Sequence, residues 1–131
     1  MGKWDDNDMT AKVLDVLGDA RLAGGPGHHF GRAFATSYQI AVEIERRFPG
    51  TASALGKHLG GAGIGAQNSV AQYVGNVLSK QIKARGASHP VEGGFLSSID
   101  VVSMTYDSPG GEIVSSLTGT GFDLGIFRLR D

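Results

Sequence analysis

Asn68, Gln72, Asn76, Lys80 and Lys83 follow one another at spacings of four or three residues, so on a helix they share one side. Ser69, Gly75 and Ser79 lie among them. Amide side chains can bond base edges in pairs, adenine above all, and ammonium groups neutralise phosphates. Such a set suits recognition of a nucleic acid rather than the breaking of bonds. A solvated helical face usually mixes Glu with Lys, and this one carries no acid. Gly75 costs about 1 kcal/mol relative to Ala inside a helix; close approach of another surface to the backbone is one explanation, a tolerated glycine on a wet face the other.

The stretch before that helix, "LGGAGIG" at 59–65, holds four glycines. Backbone amides of Gly61, Gly63 and Gly65, helped by the helix dipole, would form an anion-binding loop able to reach a phosphate. A dinucleotide site would need a strand before the loop, and 51–59 reads as helical or irregular. A Walker loop would need Gly-Lys-Ser/Thr, but Gly56-Lys57 continues into His58. No cofactor is expected.

Catalytic patterns are sparse. His28 and His29 are adjacent and would face opposite ways on a strand, while His58 and His89 are remote in sequence. A small enzyme using His28 or His29 is one alternative. No metal-ligand spacing of the H-x-x-x-H kind occurs, and no G-x-S-x-G elbow.

The chain has 131 residues, 40% of them hydrophobic, which suits one domain with its own core. There is no cysteine, so neither disulfides nor thiolate metal sites arise. The N-terminus is acidic without an apolar run, and no stretch approaches the ~20 apolar residues of a membrane span. A cytoplasmic protein without membrane contact is the expectation. Net charge is only -1, yet residues 46–91 hold six basic residues and no acid. That middle predicts a local basic surface, with Arg46, Arg47, Lys57 and Arg85 adding attraction without specificity.

These residues need elements to place them. Apolar spacing predicts a first helix over 8–22, a second from Thr36 or Ser37 to Phe48, and a third over 68–83. Glu43 and Arg47 would pair on the second helix. Residues 1–7 would be a flexible tail, with Trp4 free or covering the sheet. Residues 8–85 form the helical part. After "RGASHPVEGG" the pattern alternates, predicting strands near 95–106, 112–118 and 122–129 in an antiparallel meander, with a turn at "DSPGGE". The fold class is α+β, one domain, with a β part over 95–129. Ile126 and Phe127 are consecutive, so one must leave the core unless both sheet faces are covered. A protein partner or homodimer could supply that cover.

Three helices and then a hairpin, with "NSVAQYVGNVLSKQIKA" as the third helix, resemble the winged helix-turn-helix superfamily. The resemblance spans about residues 36–118. It implies that the second helix supports, the third enters the major groove of double-stranded DNA, and the 107–111 turn is the wing tip. The leading expectation is therefore a non-enzymatic DNA-binding regulator. It would contact DNA through Asn68, Ser69, Gln72, Asn76, Lys80, Lys83 and Arg85. The other alternative is a protein-interaction module, a small inhibitor or assembly subunit, using the acidic C-terminal part.

Overall fold

The computed structural model describes residues 2–61, 63–64, 68–115 and 123–131. Among these the helices are α1 (Lys3–Asp6), α2 (Met9–Leu17), α3 (Ala20–Ala23), α4 (Ser37–Arg47), α5 (Thr51–Leu55) and α6 (Val70–Arg85). The strands are β1 (Ala35–Thr36), β2 (Val91–Leu96), β3 (Thr105–Tyr106), β4 (Ile113–Val114) and β5 (Leu124–Leu129). The expected α+β class holds, with helices and a three-stranded antiparallel sheet. No helix among the described residues is long and apolar enough to cross a membrane.

Helix α4 is the centre of the molecule. It starts where Thr36 and Gln39 exchange bonds: the Thr36 hydroxyl accepts from the Gln39 N–H, and the Gln39 side chain accepts from the Thr36 N–H. Tyr38, Ile40, Ala41, Val42 and Ile44 are all buried, so apolar surface surrounds most of the helix. Helices α2 and α6 pack against it. Val13, Val16 and Leu17 of α2 and Val70, Val74 and Leu78 of α6 fill the core. Each fully buried side chain of this kind adds about 1.5–3 kcal/mol of apolar transfer.

The first predicted helix is broken in two. Helix α2 stops at Leu17, with the Gly18 N–H closing on the Leu14 carbonyl. Asp19 then caps a new turn by accepting from the Arg21 N–H at 2.8 Å. Arg47 of α4 reaches this break and bonds both Asp15 and Asp19, so the expected Glu43–Arg47 pair, at 3.7 Å, is the edge of a wider network.

The expected N-terminal tail is instead part of the core. Residues 3–6 are helical and Trp4 is buried, packed edge-to-face with Tyr73 at 5.6 Å between ring centres. Its indole N–H donates to the Thr10 hydroxyl at 2.9 Å. A lone tryptophan in an acidic stretch gives no period from which docking can be read.

The three-stranded sheet is antiparallel in the order β1-β5-β2. It is not a meander, because β1 comes from the chain before α4. The strand expected over 95–106 splits, since residues 97–104 leave the ladder and Asp100 takes φ +64°. Strands β3 and β4 form a separate pair, closed by the 108–111 turn, where Ser108 and Gly111 exchange backbone bonds. The "DSPGGE" turn thus ends this small hairpin and is not the tip of the β2–β5 ribbon. Its Asp107 pairs with Arg46. Phe127 is buried and faces Gly93 in the register, while Ile126 is half-buried. Leu124 is buried too, although its side chain and that of Phe127 lie on opposite faces. Both sheet faces therefore contribute to the core. Phe122 and residues 116–118 lie outside the described residues.

Candidate nucleic-acid interface

Ser69 caps α6, accepting from the Gln72 N–H at 3.2 Å, and is itself buried. Its hydroxyl therefore serves the helix start and not the outer face. The remaining first-turn donors are also engaged. The Val70 and Ala71 N–H groups donate to the His58 and Leu59 carbonyls at 2.8 and 2.9 Å, and Tyr73 N–H donates to Ser69 O. An anion would find no free amide on α6 here.

The glycine loop has a packing reason. Gly60 has φ +141°, and a Cβ there would lie 2.8 Å from Ser69 Oγ and 3.3 Å from the Tyr38 ring. Gly61, at φ +127°, is buried with the Val114 carbonyl 3.3 Å from where its Cβ would be. These two glycines let the loop lie flat on the α6 cap and on β4, so Gly61 is not an anion cradle. Gly63 is exposed in open space, and Gly65 lies outside the described residues.

Gly75 also faces the protein's own interior side, but with room to spare. It faces Ser37 at the start of α4, 3.4 Å from Cβ to the position its own Cβ would take. The surface approaching the α6 backbone is thus another helix of the same chain.

The basic residues divide sharply. Arg46, Arg47, Arg21, Arg32, Arg128 and Arg130 all pair with carboxylates. Lys3 donates to the Leu55 carbonyl, Lys12 to the Thr51 hydroxyl, and Lys57 sits 5.0 Å over the Tyr73 ring. Arg46, Arg47 and Lys57, expected to add diffuse attraction, are engaged in these contacts, although Arg46 stays exposed. Among the described residues, only Lys80, Lys83 and Arg85 lack a side-chain partner, and all three are exposed on the last turns of α6. Asn68 and Asn76 are exposed as well, and Gln72 is half-buried.

A groove of about 480 Å³ runs between α6 and the β2–β5 ribbon. Gln72, Asn76 and Ser79 form its polar wall, Phe95 and Asp123 stand on the ribbon side, and Ile82 and Phe127 line the bottom. Gly93 and Gly125 have no side chains on this side of the ribbon. The Phe127 ring covers both, 3.2 and 3.4 Å from where their Cβ atoms would be. The amide side of α6 is therefore one wall of a cleft, and only its last turns project as a positive ridge. Nothing in the sequence pattern brings Phe95 opposite Asn76, because that depends on how the ribbon docks on α6.

The acids expected to meet a basic partner are largely used within the chain. Glu92 binds Arg128 and Arg130, Asp107 binds Arg46, and Asp131 binds Arg32. His28 and His29 are exposed and stack on each other at 4.1 Å, next to Phe30. His89 is buried, between Gln81 and the Val91 backbone. Among the described residues no three His, Asp or Glu gather as a metal-binding group.

No protein-family profile, curated protein or solved structure matches the chain.

Proposed function

We propose that the protein is a small nucleic-acid-binding module whose contacting element is the outer half of α6. One observation carries this: nine of the twelve basic side chains are engaged within the fold, and the three left over share one exposed helix end. Internal pairing spends charge on stability, whereas unpartnered cations in a cluster attract a polyanion. Asn76 extends this end of the helix and can bond a base edge. The winged-helix-like order supports the same element, since the third main helix of such folds is the one that reads nucleic acid. The test is fluorescence anisotropy of a labelled oligonucleotide at low salt. Binding that weakens on joint substitution of Lys80, Lys83 and Arg85 by Ala supports the proposal. No binding to single or double strands refutes it.

A further inference from the structure

The groove beside the free cations has a composition unlike a phosphate site. Phe95 stands at its ribbon side with 76% of its surface exposed, so its ring is open to a stacking partner. Asn76 and Ser79 on the facing wall have no side-chain partner among the described residues and are exposed. Asp123 also lines the groove, one carboxylate oxygen accepting from the Ser98 N–H at 3.0 Å. Gly93 and Gly125 carry no side chain on this face of the ribbon, and the Phe127 ring lies over them as the floor between the walls. At about 480 Å³ the groove has room for one planar heterocycle. Lys83 follows Ser79 by one turn of α6, so a cation lies next to the polar wall.

An aromatic face, facing amide and hydroxyl groups, and a neighbouring cation are the parts that hold an unstacked base and its phosphate. A paired base could not use them. Inside a duplex its faces are stacked on its neighbours and its Watson–Crick edge is occupied. We infer that the groove takes one unpaired nucleobase, stacked on Phe95 and bonded at its edge by Asn76 and Ser79, from a strand whose phosphates lie against Lys83 and Lys80. This inference rests on the proposed function and narrows its target to single-stranded nucleic acid.

The experiment compares three labelled DNA probes of equal length: an oligothymidylate, the same strand with abasic positions, and a blunt duplex. The expected order is oligothymidylate tightest, with the abasic strand about tenfold weaker. Phe95→Ala should lose about tenfold on oligothymidylate alone and leave abasic and duplex binding unchanged. Because Phe95 is exposed, its thermal unfolding should match that of the parent. Equal binding of the intact and abasic strands, or parental binding by Phe95→Ala, overturns the groove assignment while leaving the cation ridge in place. Absence of binding to all three probes overturns the ridge as well.

Discussion

Gly75 of α6 rests on Ser37 of α4 with enough space for a methyl group, which would meet the Ser37 Cβ at 3.4 Å. That distance is an ordinary van der Waals contact. The glycine is therefore not demanded by the helix crossing, and its conformational freedom in the unfolded chain is a net cost. Gly75→Ala should stabilise the protein by up to about 1 kcal/mol. A thermal melt should rise by roughly 2–5 °C. A fall in melting temperature would mean that α4 and α6 pack more tightly than this geometry.

Gly60 is the opposite case. Its φ of +141° and the 2.8 Å approach to Ser69 Oγ leave no place for a side chain. Gly60→Ala should destabilise by more than about 1 kcal/mol and loosen the α6 cap. Gly63 also has positive φ but faces open space, so Gly63→Ala should cost less. Chemical denaturation of the two variants compares them directly, and equal losses would contradict the packing role given to Gly60.

Trp4 anchors the N-terminus. Its ring lies against Tyr73, and its N–H is satisfied by Thr10. Trp4→Ala should cost about 3–5 kcal/mol, as for other large buried aromatics. Deletion of residues 1–7 should cost at least as much. A truncated chain that melts with the full one would restore the tail expected from sequence.

Asp19 gives the fold an acid-sensitive joint. Bonds from the Arg21 guanidinium and backbone N–H, then from Arg47, hold its carboxyl well below the ordinary value of 3.8. The unfolded chain therefore takes up this proton first as pH falls. Stability from Asp19 is complete above about pH 5 and declines as pH drops through 4 and below. Asp19→Asn should lower stability at neutral pH and flatten the acid limb of a melting-temperature profile. An unchanged acid limb would exclude Asp19 as its source.

Much of the helical part was legible because periodicity and capping agree. Thr36 starts α4 and Ser69 starts α6 as their residue types suggest, and the buried stripes fall where the spacing puts them. The break at Gly18 was hidden, because Asp19 serves a tertiary partner, Arg47, as well as its local cap. Strand β1 was hidden for another reason. Two residues carry no period, and only their pairing with Ile126 and Phe127 makes them a strand. At the candidate site, Lys80, Lys83 and Arg85 were legible as cations, but their isolation from acids was not. It emerges from where Glu43, Glu92, Asp107 and Asp131 fold to meet the other arginines. At Gly61 the packing was hidden too, because sequence cannot show that Val114 fills the space beside it.

Lys80, Lys83 and Arg85 are the proposed phosphate contacts. The most direct test is the salt dependence of oligonucleotide affinity for the parent chain and for the triple alanine variant. Each phosphate contact on a single strand adds about 0.7 to the slope of log affinity against log salt. The triple variant should lose roughly 2 from that slope. Equal slopes for the two proteins would contradict it.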